Sequence, residues 1–405
     1  MQGCPARTLP AIGPCMSIAA VWHSNAPWTQ TGYGTQTAQV VRRMIADGHK
    51  IAVAANYGLE ATVTEWEGAT VYPRGLDQWC NDIVGPYFDD WKSQHPGDHH
   101  MQFTLFDVWI YSSPRFDNIQ TASWVPIDHM PAPPPVLEFL RKPTVTPIAM
   151  SQFGLRMIQD AGIDALYAPH AIETSVFKPT GRVKVSGKMM TGREIMGIPE
   201  DKWVVGMVNA NKAGGGVHRK AWAENLLAFS IWAQDHPDAV LYLHTERDGA
   251  MGGWKMPDLI KAVGLRPEQV RIVNQYAYRL GIPAEGLAAL YTAMDVALLP
   301  TYGEGFGITA IEAQACGTPV ILNDFTAQTE LCGDGWLVEG QPFWDDGMKS
   351  WFRIPFVSSI VDALEAAYQR GRGRSKKAEQ FVKTYYDADV VYDRYWRPIL
   401  DGFVE

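Results

Sequence analysis

Two glutamates and a run of glycines carry the clearest chemistry. The stretch TYGEGFGITAIEAQACGTPV (301–320) sets Glu304 in a loop with glycines at 303, 305 and 307, and Glu312 inside the helix that follows. That helix is expected from about Gly307 to Cys316, stopped by Gly317 and Pro319. A helix amino terminus offers free N–H groups and a positive dipole end to an anion. A carboxylate beside that anion repels it, so both glutamates must serve uncharged parts of the same ligand. Carboxylates accept well from paired hydroxyls. A ligand with hydroxyls at both ends and phosphate between them meets these demands, which is the layout of a sugar diphosphonucleotide.

Other groups invite chemistry and mostly read as structure. Gly32-Tyr33-Gly34 lacks the third glycine of a dinucleotide fingerprint, and the second strand ends in Asn56 instead of an acid, against NAD. Asp387-Ala388-Asp389 has the spacing of a metal-binding D-x-D but opens a helix, where Asp is a cap. HPGDHH (95–100) reads as a surface loop, with no second ligand set at zinc spacing. His170 and His244 read as near-core histidines, Cys316 and Cys332 as small packing residues, and RGRGRSKK (370–377) as a solvated charge run. No metal is expected.

These residues must be held by alternating strands and helices. In the first half SIAAVWHS (17–24), KIAVAANYG (50–58), FTLFDVWIYSS (103–113), TASWVPI (121–127), TVTPIAMS (144–151) and ALYAPHAI (165–172) read as strands. The helical pattern TQTAQVVRRMIADG lies between the first two. The second half repeats the theme with WVVGMVNA (203–210), AVLYLHTE (239–246), VRIVNQ (270–275), VALLP (296–300) and PVILND (319–324). Such alternation predicts α/β architecture with parallel sheets covered on both faces. A length of 405 residues favours two domains. The expected division is a leader over 1–15 (with Met16 a candidate start), a first Rossmann-like domain over 16–180, a polar, strandless linker centred on 178–194, and a second domain over 195–385. A terminal helix over 386–405 has an apolar face, Val390, Val391, Tyr395, Trp396, Ile399 and Leu400, free to bury elsewhere.

The net charge of -9 disfavours a general nucleic-acid binder. Five scattered cysteines without a C-x-x-C suit a reduced, cytoplasmic protein. No run of 18 apolar residues predicts a membrane span.

EGFGITAIEAQACGTPV resembles the E-x7-E signature of retaining glycosyltransferases of family 4, enzymes of the GT-B fold. GYGTQTAQVVRRM (32–44) is similar to that family's amino-terminal glycine loop, IDALYAPHAIETSVFKP to the segment closing its first domain, and VNANKAGGGVHRKAW to its phosphate-binding loop. The resemblance implies two Rossmann-like domains with a cleft between them and a C-terminal helix crossing back to the first. It implies a donor such as a UDP-sugar or GDP-sugar, no cofactor, and retention through front-face attack. Glu304 would hold the hexose hydroxyls, and Gly305, Phe306, Gly307, Ile308 and Thr309 would offer amides. Glu312 would hold the ribose, Arg219 and Lys220 would neutralise the departing diphosphate, and Gly32, Tyr33 and Gly34 would line the donor site. Relatives often carry an arginine shortly before the basic pair; here Ala210 or Asn211 stands there, followed by KAGGG. PIDHMP places Asp128 and His129 at a strand end facing the cleft, either of which would contact hexose and acceptor. Trp22, Trp28 and Tyr33 are candidate acceptor platforms. The acceptor, whether glycan, protein or modified DNA base, is open, as is the oligomeric state. A sugar-nucleotide epimerase or phosphorylase, or an inactive sugar-nucleotide binder, are the rival readings.

Overall fold

The computed structural model describes residues 17–185, 187–214 and 216–404, so the expected leader, with Cys4 and Cys15, lies outside the described residues. The first-half strands are β1 (Ile18–Ser24), β2 (Lys50–Ala55), β3 (Thr64–Trp66), β4 (Ala69–Tyr72), β5 (His99–Leu105), β6 (Thr121–Val125), β7 (Val145–Ala149) and β8 (Leu166–Tyr167). They form one sheet in the order β3-β4-β2-β1-β5-β6-β7-β8, parallel except where β3 runs against β4. Beyond a hairpin of β9 (Arg182–Val185) and β10 (Lys188–Thr191), the strands β11 (Trp203–Val208), β12 (Ala239–His244), β13 (Val270–Ile272), β14 (Val296–Leu298), β15 (Val320–Asn323) and β16 (Gly335–Val338) make a second sheet. Its order is β13-β12-β11-β14-β15-β16. The central strands β1 and β11 are buried along their whole length, as parallel sheets covered on both faces require. Both strand orders reverse beside β1 or β11, and ligands of such sheets bind at those reversals.

Several expectations need correction. The 178–194 stretch is not strandless: RVKV and KMMT pair antiparallel as β9 and β10, and helix Gly192–Met196 follows, opened by a capping box from Thr191 and Glu194. The third strand begins at His99, not Phe103, so His99 and His100 belong to the sheet and not to a surface loop; after Leu105 the chain turns into a 3-10 turn, Val108–Ile110. Trp22 is no platform: it is fully buried and packs on Phe103, Trp124 and Trp396.

The carboxyl-terminal segment returns to the first sheet. Asp387 caps helix Ala388–Val391, a π turn (Tyr392–Trp396) interrupts the expected single helix, and helix Arg397–Val404 ends it. Trp396 lies 4.8 Å from the Trp124 ring, and Arg397 and Tyr392 each donate to Asp47 at 3.0 Å. Arg43 bridges Asp389 at 2.6 Å and Glu173 at 3.0 Å. Closer to the cleft, Glu330 of the second half accepts from the free amides of Gln152 and Phe153 at 2.9 and 3.2 Å, completing the amino terminus of helix Gln152–Asp160. Among the described residues no helix is long and apolar enough to cross a membrane.

Candidate active site

Glu304 sits on the loop between β14 and helix Ile308–Ala315 and is buried at 7% exposure. Its carboxylate accepts from Arg219 at 3.0 Å and from Lys220. Both cations lie on the turn between β11 and helix Trp222–Trp232. That turn is stitched to the Glu304 loop by Tyr302 N–H to the Arg219 carbonyl (2.7 Å) and by Arg219 to the Gly303 carbonyl (2.8 Å). Two non-glycine residues take left-handed backbone here: Ala221, directly after Lys220, at φ 50°, and Thr326 at φ 54°. The Thr326 hydroxyl accepts from the Glu304 N–H at 3.0 Å. Strain of this kind gathers where a site demands a particular geometry.

Two glycines are dictated by this packing. A Cβ on Gly305 would stand 2.3 Å from Pro126, so the loop reaches the first domain only without one, and Gly307 caps the helix at φ +110°. The first turn of that helix, Ile308 and Thr309, is half-buried beside the loop. The Phe306 side chain is a packing anchor, buried against His170 and Tyr386. His170 is a near-core histidine whose imidazole burial pushes down to about 3.

Burial alone would push the Glu304 carboxyl up, but Lys220 and Arg219 more than offset it and hold it at about 2. Burial lowers Lys220 to about 8, against the pull of Glu304. Arg219 is desolvated too, yet Glu304 and Asp128 drive it further toward the charged form. The result is a preassembled group of fixed charges at the helix amino terminus.

From the first domain, Asp128 follows β6, with one oxygen 3.9 Å from Arg219 Nε and the other 2.7 Å from His129 Nδ1. Burial disfavours its charge, but His129 and Arg219 hold the carboxyl below the usual range. Tyr33, at the start of helix Gly32–Ala46, packs on Phe106 and faces Asp107, Arg219 and Asp128. Thr31 caps that helix by accepting from Gly34 N–H at 3.0 Å, while Gly32 is exposed.

Glu312 stands apart from the Glu304 group. It is buried one turn into its helix, accepts from the Tyr291 hydroxyl at 2.8 Å, and burial pushes its carboxyl up to about 7. Between 4.5 and about 7 the folded chain therefore binds more protons at Glu312 than the unfolded chain, so this group's stability contribution falls as pH rises. Glu312→Gln should flatten that slope in urea titrations at several pH values.

Sequence reasoning missed Asp107, Thr326, Tyr291 and Asp345. Asp107, beyond the end of β5, faces Tyr33, Asp128, Arg219 and Lys212, and burial pushes its carboxyl up. From the sequence the strand is expected to run through 113, with Asp107 inside it, so its place two residues past the true strand end was hidden. Among the described residues no group of three or more His, Cys, Asp and Glu is placed to hold a metal ion.

Residues 220–345 match the family model described as glycosyl transferases group 1. The D-inositol 3-phosphate glycosyltransferase of Arthrobacter sp. (strain FB24) is 26% identical over 242 residues, 57% of this chain and 52% of that protein. Its counterpart from Rhodococcus erythropolis (strain PR4 / NBRC 100887) is 60% identical over 117 residues, 27% of this chain and 26% of that protein. The chain thus spans about half or less of the curated relatives it matches. Among solved structures, sucrose-phosphate synthase from Thermosynechococcus elongatus superposes at TM-score 0.68 with 16% identity, covering 95% of this chain and 100% of that one. Anabaena HepE in complex with UDP and glucose superposes at 0.65 with 13% identity, covering 95% and 99%. The fold is that of GT-B glycosyltransferases, two Rossmann-like domains, as expected from the sequence.

Proposed function

We propose that the chain is a glycosyltransferase that moves a sugar from a nucleotide-diphosphate donor to a hydroxyl-bearing acceptor with retained configuration, as in family 4. The observation that carries this reading is the Glu304–Arg219–Lys220 group at the amino terminus of helix Ile308–Ala315. In the donor-free chain the carboxylate and cations neutralise one another. A bound diphosphate exchanges partners with them: Arg219 and Lys220 turn to phosphate, aided by the amides of Gly305 to Thr309, and Glu304 is released to hexose hydroxyls. Glu312 takes the ribose, and Gly32, Tyr33 and Gly34 close the donor site from the first domain. The acceptor hydroxyl attacks the anomeric carbon on the face from which the nucleotide diphosphate departs, the bond to the β-phosphate oxygen breaks, and that oxygen takes the acceptor proton. Negative charge grows on the departing diphosphate, where two fixed cations stabilise it without a metal ion. Of Asp128 and His129, Asp128 contacts hexose and acceptor, because His129 is 2% exposed with both ring nitrogens engaged. The cysteine pattern supports a cytoplasmic setting.

The acceptor enters over the first domain. Asp107 and Asp128 lie on that side with Arg219 and Lys212 beside them, and the relatives are named for a phosphorylated inositol acceptor. The overall reading is tested by thermal shift with UDP-, GDP- and ADP-sugars, because a ligand of the folded state raises the unfolding temperature. A donor-cleavage assay with and without free phosphate separates a transferase from a phosphorylase.

A further inference from the structure

A hairpin of β17 (Gly340–Asp345) and β18 (Ser350–Pro355) leaves the second domain and docks on the first beside His129. Its residues alternate between faces. Trp344 and Trp351 form an exposed outer pair, while Phe343, Asp345, Ser350 and Phe352 face inward. Main-chain bonds tie Met130 to Trp351 in both directions, at 3.0 and 3.3 Å, and Ser350 donates to the Pro131 carbonyl. The Phe352 ring lies 3.7 Å from the His129 ring.

Within this dock His129, 2% exposed, has a carboxylate oxygen at each nitrogen: Asp128 Oδ1 at 2.7 Å from Nδ1 and Asp345 Oδ2 at 3.2 Å from Nε2. The other Asp345 oxygen accepts from Gly347 N–H at 2.8 Å, so the turn fixes the carboxylate and aims Oδ2 at the imidazole. Asp128, gripped by His129 on one side, presents its second oxygen to Arg219.

We propose that Asp345 is a positioning residue: from the second domain it orients His129 and, through it, Asp128, so that this pair is correctly set only when the hairpin is docked. The proposal rests on the reading that Asp128 contacts substrate. The hairpin's hold does not depend on Asp345 Oδ2, because main-chain bonds and Phe352 supply it. A role confined to holding the hairpin is therefore distinguishable.

Asp345→Asn keeps the shape of the side chain and an oxygen for the turn but removes the charge. It should lower kcat about tenfold or more while donor KM moves less than about threefold. In a His129→Ala background the same change should have no further effect, because residues acting as one unit are not additive. Trp344→Ala, on the outer face, should leave kcat unchanged. Wild-type kcat in Asp345→Asn, or an equal loss in the His129→Ala background, overturns the proposal. A second readout needs no turnover: NMR of donor-free, histidine-labelled protein should show the His129 Nε2 resonance displaced in Asp345→Asn, and an unchanged resonance overturns the proposal too. If wild type releases no nucleotide diphosphate from any sugar nucleotide, the functional reading fails, and the NMR arm still judges the Asp345–His129 link.

Discussion

Glu304→Gln lowers turnover by about 10²–10³-fold, the range for a lost preorganised electrostatic group. Glutamine preserves volume and one acceptor oxygen, so the loss reports charge. It removes the partner of Arg219 and Lys220, which are then left desolvated together. Donor binding should suffer less than turnover, because the freed cations still meet the diphosphate. A carboxylate held at about 2 instead of 4.5 contributes stability that is fully present above pH 4.5 and lost as pH falls toward 2. Acid unfolding of Glu304→Gln should lack that component. Steady-state rates on wild type and variant, with unfolding curves at several acidic pH values, check both statements. A variant that turns over like wild type would remove Glu304 from the chemistry.

Lys220→Met should cost about 10²-fold in turnover, because a cation beside the leaving diphosphate is lost where charge accumulates. The pH dependence is the sharper test. Burial brings Lys220 to about 8, so in the free enzyme kcat/KM should fall as pH rises past about 8. A bound diphosphate favours the ammonium, so the alkaline limb of kcat lies higher. Stability moves the opposite way: between about 8 and 10.5 the unfolded chain binds more protons at this group, and the Lys220 contribution to stability rises with pH. In Glu304→Gln the counter-charge is gone, so the kcat/KM limb should move below 8. A limb unmoved by either substitution would detach it from Lys220.

The strand, loop and helix around Glu304 were readable in the sequence because local chemistry dictates them. Gly307 must take a positive φ at the helix start, and strand, loop and helix follow one another within twenty residues around Glu304 and Glu312. Alternating strands and helices foretold both sheets. What stayed hidden depends on distant contacts. Asp345 matters only because the hairpin folds over onto His129, 216 residues away in sequence, and Asp-Gly at 346–347 between aromatic residues was a hairpin signal that went unused. The left-handed backbone at Ala221 and Thr326 is imposed by packing around Glu304, and neither residue type announces it. Trp22 could not be told from a surface platform until Trp396 returned from the chain end to cover it. The 178–194 hairpin was masked by its polar composition, since both of its strands are largely exposed.

The most direct measurement incubates the purified chain with UDP-, GDP- and ADP-sugars and a panel of neutral and phosphorylated polyol acceptors, following nucleotide diphosphate release. The account predicts release from one nucleotide class, accelerated by acceptor and lowered about 10²–10³-fold in Glu304→Gln. Absence of both release and thermal stabilisation with every sugar nucleotide, or release undiminished in Glu304→Gln, would contradict it.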